Sequence, residues 1–437
     1  MFPTPRILFF ILFLGMAGLF SFSPANSFYP IPGRSFSGKK VEITAPDTFI
    51  YNILRKHPSF FSAVLDKQEE SGLQVIYTRI DRDRKGRPVF TEHRLGVDSS
   101  RYFYPASTVK LPVAILALQR LNELKIPGLD KNSTLITGSA GGRQTAVCND
   151  PSAPDGRPTI AHYIKKILLV SDNDAYNRLY EFLGQEYINN NLHRMGYHQA
   201  QLIHRLEVSL SEEENRFTNP VRFIDSTGKI LYEKSAVNSQ LSYATRNTRM
   251  GNGYLKAGQL VNEPFDFSKK NRLTLTELNS IVKSIMFPES VPKHQRFNLT
   301  AGDYAFLRHY MSMMPGESLS PVYDPGKNWD TYVKFLLYGS ERGTSHSGIR
   351  IFNKVGDAYG FLTDAAYIID TDSQVEFMLS AVIYCNSDGI FNDDHYDYAS
   401  VGLPFMKHLG QAILEYERTR VRKYKPDLSP FIFNYKD

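Results

Sequence analysis

The stretch Ala106-Ser-Thr-Val-Lys-Leu-Pro-Val-Ala-Ile-Leu-Ala-Leu-Gln-Arg-Leu-Asn-Glu-Leu124 decides how the 437-residue chain is read. Apolar residues fall on nearly every side of it (Val109, Leu111, Val113, Ile115, Leu116, Leu118, Leu121), the pattern of a helix buried inside a domain. Pro112 sits in its early part, where it removes one backbone donor. Two polar residues, Ser107 and Lys110, stand at its start on one face, one turn from each other. A serine hydroxyl is a weak nucleophile. An amine held beside it in a low dielectric loses its proton more readily and can accept the serine proton, and a helix N-terminus favours developing negative charge. Taken alone, the spacing is ordinary, because a capping serine followed by a solvent lysine has the same form.

On the N-terminal side, residues 47–67 are patterned as a helix, and 73–82 and 89–95 as two strands joined by a turn at Lys85 and Gly86. On the C-terminal side, residues 127–158 read as a loop, followed by helices over 160–169, 173–183 and 185–195. From about 217 to 270 short extended pieces alternate with turn signals, Asp225-Ser-Thr-Gly228 and Gly251-Asn-Gly253. This β-rich insertion either roofs a cleft or runs over the surface. Helices return over 274–286 and 301–314; strands are expected over 350–354, 363–369 and 375–384, and a long helix over 397–417. Strands on both sides of a helical middle predict an α/β (α+β) fold, one antiparallel sheet flanked by helices with a helical subdomain.

Two further clusters lie downstream: Ser171-Asp172-Asn173 between two expected helices, and Lys354-Val355-Gly356 on an expected strand. With Ser107 and Lys110, their order and spacing resemble the S-x-x-K, S-D-N and K-T-G motifs of the serine β-lactamase and penicillin-binding-protein superfamily. Class A β-lactamases match best. Arg205-Leu206-Glu207 resembles the R-x-E of their omega loop, and Leu210 fits the same loop. The run Asp172-Asn-Asp-Ala-Tyr-Asn-Arg-Leu179 resembles their helix after S-D-N, and Gly360 with Asp364-Ala365-Ala366 resembles their strand after K-T-G. The likeness spans about 47–417 apart from the insertion.

The resemblance implies a β-lactamase/DD-peptidase-like fold and an acyl-enzyme mechanism. Ser107 would be the nucleophile and Lys110 its activating partner; Ser171 would pass a proton to the leaving nitrogen, and Asn173 would hold a substrate amide. Glu207 would activate water against the acyl-enzyme, and Lys354 would supply positive charge for a substrate carboxylate and for Ser171. The backbone N–H groups of Ser107 and Asp357 would form the oxyanion hole. Val355, Gly356 and Asp357 would line the substrate site. Asp172 would be structural, and Arg205 would brace the omega loop through a carboxylate.

The chain departs from the family pattern at three places. Val355 replaces the threonine of K-T-G, whose hydroxyl binds a β-lactam carboxylate; losing one hydrogen bond to a charged group costs about 1.5–3 kcal/mol. Leu362 stands where many class A enzymes carry an arginine, and Ser211 where they carry an asparagine that helps hold water. The acylation residues are complete, while the carboxylate pocket is thinned. The expected activity is hydrolysis of a β-lactam or another cyclic amide. A peptidoglycan DD-peptidase is the first alternative, opposed by Glu207 and partly favoured by Val355. A non-catalytic envelope protein on the same fold is the second.

Other patterns carry less. Gly138-Ser-Ala-Gly-Gly142 lacks the ending of a phosphate loop, and Asp393-Asp394-His395-Tyr396-Asp397 reads as a polar helix start sooner than a cation site. No H-E-x-x-H and no G-x-S-x-G occurs, and the single Trp329 reads as packing. Cys148 and Cys385 are too few for a cysteine-built zinc site and either pair or stay free. No cofactor is expected. Lys+Arg 51 against Asp+Glu 45 gives +6, too small an excess over this length to predict nucleic-acid binding. Arg6 precedes an apolar run over 7–22 and small residues over 23–27, the pattern of a secretory signal with cleavage after Ala25 or Ser27, with an uncleaved membrane anchor as the alternative. The mature chain is expected to be exported, periplasmic or extracellular, monomeric and without a membrane span. The basic run Arg418, Arg420, Arg422, Lys423 and Lys425 opens a tail over 418–437, read as a solvated helix end.

Overall fold

The computed structural model describes residues 47–141, 144–343, 345–346 and 348–435. The signal segment and Gly142 lie outside them. Among the described residues no helix is long and apolar enough to cross a membrane.

The expected helix over 47–67 is two helices, α1 (Phe49–Leu54) and α2 (Pro58–Leu65). Pro58 causes the break: it pushes His57 out of the helical region and is itself tolerated at a helix start, where no donor is needed. The hairpin β1 (Gln74–Arg82) and β2 (Pro88–Leu95) follows, its turn held by Asp83, whose carboxylate accepts the N–H of Lys85 and Arg87. Residues 106–109 form one 3-10 turn, which runs into α3 (Lys110–Leu124). Pro112 falls in the first turn of α3, where a backbone donor has no intrahelical partner to lose. After the short β3 (Thr134–Thr137), α4 (Ile160–Val170), α5 (Asn173–Leu183) and α6 (Gln185–Arg194) surround α3.

A short α7 (Glu212–Arg216) precedes eight short strands: β4 (Phe217–Thr218), β5 (Val221–Ile224), β6 (Ile230–Lys234), β7 (Val237–Asn238), β8 (Arg249–Met250), β9 (Gly253–Lys256), β10 (Gln259–Val261) and β11 (Phe265–Asp266). They are not one excursion. β5 and β6 add to β3 on the helical side. β9 instead pairs with β15 (Ile390–Phe391), a strand that follows the main sheet in sequence. The two halves of the insertion therefore serve different neighbours.

Between them and that sheet come α8 (Leu275–Met286) and α9 (Ala301–Ser312), each begun by a threonine capping box. Strands β12 (Ile349–Ala358), β13 (Phe361–Asp370) and β14 (Val375–Tyr384) then complete an antiparallel sheet of order β12-β13-β14-β1-β2. Every residue of β13 is buried, because both faces of the sheet are covered. Alternate residues divide between two cores. Phe352, Ala365, Tyr367 and Met378 join the helical layer of α3 and α8. Ile351, Val355, Ala366 and Leu379 face α1 and the last helix, α10 (Leu403–Thr419).

The basic run after α10 is not a solvated end. Arg418 pairs with Asp370, and Arg420 with both Asp81 and the fully buried Glu417, which Arg422 also engages. Arg418, Lys423 and Lys425 are exposed, while Arg420 and Arg422 are half-buried. The chain then returns Leu428, Phe431 and Tyr435 to apolar clusters, so 418–435 is no free tail. The carboxylates that draw in these arginines come from β1, β13 and α10, a meeting no local pattern announces. Cys148 and Cys385 are both free, the first exposed and the second buried.

Candidate active site

The site is assembled where the start of α3, the α4–α5 junction, the loop after residue 200 and the end of β12 converge. The α4–α5 junction is explained locally. Ser171 takes the left-handed conformation that closes a helix, with its N–H on Ile167 and the N–H of Asp172 on Lys166, a role glycine usually fills. Asp172 then caps α5, its carboxylate accepting the N–H of Ala175 at 2.7 Å, so it is structural as expected. Asn173 becomes the first residue of α5.

Lys110, the first residue of α3, is completely buried, and its Nζ donates to the carbonyl and hydroxyl oxygens of Ser171. Lys354 reaches the same hydroxyl from β12, its Nζ donating to Ser171 Oγ at 2.8 Å and to the carbonyl of Val355 at 2.9 Å. One serine hydroxyl thus sits between two amines. Burial pushes the Lys110 amine down to about 7, and burial together with the neighbouring Lys110 pushes Lys354 well below the usual lysine range. Near neutrality the Lys110 amine is therefore partly deprotonated and able to accept a proton. Ser107 lies one turn before Lys110, partly open to solvent, and among the described residues its hydroxyl makes no hydrogen bond.

Gly356 sets the distance between β12 and Ser107. A Cβ at this position would come within 2.8 Å of the Pro105 carbonyl oxygen and 2.9 Å of the Ser107 and Thr108 nitrogens. Only glycine lets the strand lie against the turn that presents Ser107. Asp357, next along the strand, opens into the cleft.

The loop bearing Glu207 is held by side chains that local sequence reading passed over. Asn177 brackets Leu206, giving its Nδ2 to the carbonyl and accepting the N–H. Asn271 accepts the N–H groups of Ile203 and His204, and Asn215 accepts that of Arg205. Arg205 braces the loop through a carboxylate, which is Glu181 of α5; both side chains are 0% exposed. Glu181 also accepts the N–H of Asn219 in the insertion, and the Nζ of Lys234 donates to its carbonyl. Glu207 itself is exposed, in a left-handed conformation (φ 59°), and accepts a hydrogen bond from Asn173 Nδ2 at 2.6 Å.

A cleft of about 330 Å³ is lined by Ser107, Asn173, Glu207 and Asp357, with Tyr104 and Tyr359 among its walls. Of the eleven non-glycine residues at positive φ among the described residues, Ala106, Glu207, Tyr359, Asn392 and Asp394 line it. Each such backbone costs on the order of 1–3 kcal/mol, and concentration of strain around a cleft is characteristic of functional sites. A larger cavity of about 540 Å³ near Tyr338 is less suited to chemistry, since its Lys407 and Arg418 are engaged by Glu341 and Asp370. Ser152, His162 and Asp150 also meet, but the serine and the carboxylate both approach Nε2 of the ring, whereas a relay needs them on opposite nitrogens.

Three sequence expectations change here. Val355 is 2% exposed and packs in the core with Leu362 and Phe405, on the face of β12 away from Lys354. It does not thin a carboxylate pocket, because it does not line one; Gly356 likewise acts by close backbone approach. Ser211 is committed to a capping box with Glu214 at the start of α7 and is exposed, so its hydroxyl is not a water holder beside Glu207. Asp394, read only as part of a polar helix start, lines the cleft, while Asp397 accepts the N–H of Ser387. Trp329 packs as expected, its indole N–H donating to Ser340 and Arg342 lying over its ring.

The model of the beta-lactamase enzyme family matches residues 67–247, which include Ser107, Lys110, Ser171, Asn173 and Glu207 but not Lys354. The match covers less than half of the chain, and over that segment the chain is similar to the family. Solved structures similar to it include a beta-lactamase from Chitinophaga pinensis DSM 2588, at 10% identity and TM-score 0.46, covering 84% of this chain and 99% of that one. A beta lactamase from Xanthomonas campestris pv. campestris str. ATCC 33913 is 14% identical with TM-score 0.45, covering 84% and 98%. One from Sphaerobacter thermophilus DSM 20745 is 13% identical with TM-score 0.42, covering 82% and 98%. No protein of curated function matches the sequence.

Proposed function

We propose that the protein is an exported serine hydrolase of class A type that opens a β-lactam or related cyclic amide through an acyl-Ser107 intermediate. The observation that carries this reading is the Ser171 hydroxyl held between the Lys110 and Lys354 amines, one turn from Ser107. Ser107 Oγ attacks the carbonyl carbon and its proton passes to the neutral Lys110 amine. Negative charge on the carbonyl oxygen is taken up by the N–H groups of Ser107 and Asp357. When the C–N bond breaks, Ser171 gives its proton to the leaving nitrogen and is reprotonated by the Lys110 ammonium, which holds the proton taken from Ser107. Asn173 holds the substrate amide. Glu207 then takes a proton from water, the water oxygen attacks the ester, and Ser107 regains its proton.

A penicillin-binding peptidase is the second reading. It is favoured by Ser211, whose commitment to a helix cap leaves Glu207 and Asn173 to hold a water without it.

Turnover of a reporter cephalosporin and intact mass after incubation with penicillin decide between them. The lactamase reading expects turnover by the wild type, none by Ser107→Ala or Glu207→Gln, and a stable adduct only in Glu207→Gln. A lasting adduct on the wild type selects the peptidase. No adduct on any of the three proteins overturns both. N-terminal sequencing of secreted protein tests export, with a new terminus expected at Asn26 or Phe28.

A further inference from the structure

The walls of the Ser107 cleft carry three carboxylates, Glu207, Asp357 and Asp394, and among the described residues no lysine or arginine side chain lines it. Lys110 and Lys354 are buried, with their amines spent on Ser171 and on main-chain oxygens. Glu207 is engaged by Asn173. Asp357 and Asp394 accept no hydrogen bond from, and form no ion pair with, any other described residue. Two unpaired carboxylates beside a nucleophile are a poor surface for an anion and a good one for a cation.

Aromatic side chains complete that surface independently of the charges. Tyr104, Tyr359 and Tyr396 line the same cleft. Tyr104 and Tyr359 pack edge to face with centroids 5.0 Å apart, and His204 lies parallel to Tyr104 behind it, so the wall is rigid. The ring of Tyr359 already accepts a cation from within the chain, the Lys270 ammonium 5.7 Å from its centroid. Phe267 and Phe391, on the insertion and on β15, support Tyr359 without lining the cleft.

We propose that this site, read as the acylating site above, selects acyl compounds bearing an ammonium or guanidinium group, which Asp357 and Asp394 receive against the tyrosine wall. Asp357 is the principal determinant, because it follows Gly356 and stands beside Ser107, where the family pattern leads one to expect a substrate carboxylate. Although Asp357 opens to solvent, the protein packed around its carboxyl pushes its pKa up, and a bound cation would reverse that shift. The specificity thus arises from what was added to the cleft, a carboxylate on β12.

Calorimetric binding of a matched pair of amides, N-benzoyl-lysine amide and N-benzoyl-norleucine amide, tests the proposal without needing turnover. The pair differs in one ammonium group. The wild type is expected to bind the lysine compound at least tenfold more tightly, and Asp357→Asn with Asp394→Asn to bring the two within about twofold. The single variants divide the effect, with Asp357→Asn the larger. Equal affinities for the wild type, preference for the norleucine compound, or binding of neither would overturn it. The cephalosporin and mass measurements report on the hydrolase reading separately, so an adduct at Ser107 with equal amide affinities retires the specificity and keeps the enzyme.

Discussion

The lysine–serine side of the site and the Glu207 loop are built on different principles. Ser107, Lys110, Ser171 and Asn173 sit at helix starts and one helix end, so their positions follow from short-range spacing, and the amines that join them are buried. Glu207 sits on an exposed, left-handed position, and its loop is held by Asn177, Asn215, Asn271 and the Arg205–Glu181 pair. The first side is protected by its own secondary structure. The second depends on a few polar contacts to distant residues, and these contacts are where it breaks.

The largest expected effect follows from Glu181→Ala. It leaves the Arg205 guanidinium buried without its carboxylate and removes the acceptor for Asn219 N–H. Breaking a buried pair in this way costs about 3–5 kcal/mol, to be read from urea unfolding. If the two sides are as separable as their construction suggests, the acyl-enzyme of the folded variant should also persist while its formation rate is kept. An equal loss in both steps would show that the loop supports the Ser107 side too.

Gly356→Ala attacks the other side. Its Cβ meets backbone atoms of Pro105, Ser107 and Thr108, none of which can rotate away. The strand must move from the turn, and a displacement of about 1 Å at a reacting centre can cost about 10²-fold in rate. Stopped-flow acylation should show a loss of that order with deacylation little changed, the reverse of the Glu181 pattern.

The pH dependence sharpens the contrast, because the titrating group belongs to the buried side. With its amine at about 7, Lys110 is increasingly protonated as pH falls below that value, and acylation should decline about tenfold per unit there. Stability moves in the same direction. Between about 7 and the ordinary lysine value of 10.5 the unfolded chain binds more protons than the folded one, so unfolding free energy rises with pH across that window. Lys110→Met should flatten both slopes; persistence of the acylation slope would move the titration to another group.

How much of this was legible follows the same division. The strands 74–82 and 375–384 and the helices around Ser107 and Ser171 carry their signals within a dozen residues, so periodicity and capping disclose them. Ser107, Lys110, Ser171 and Asn173 were readable as motifs for that reason. The supports of the Glu207 loop were not: Asn271 lies far along the chain and Glu181 is an unremarkable helix residue until they meet Ile203, His204 and Arg205. The split of the insertion, the docking of residues 428–435 and the convergence of Asp357 and Asp394 on one cleft are likewise tertiary events. Val355 shows the converse limit. A motif position suggested its role, while the pleat of β12 determines which way it faces.

That last point sets the smallest prediction, Val355→Thr, which restores the family motif in sequence. If Val355 faced the cleft, the added hydroxyl would strengthen binding of a carboxylate-bearing substrate by one to two decades at little cost in stability. Its side chain instead packs with Leu362 and Phe405 and is 2% exposed. A hydroxyl placed there loses water, and burying it without a partner costs about 1–3 kcal/mol. The expected result is a lower unfolding midpoint with KM for anionic substrates within about twofold of wild type. A tenfold fall in KM at unchanged stability would instead place residue 355 on the cleft side and return the carboxylate pocket to the third motif.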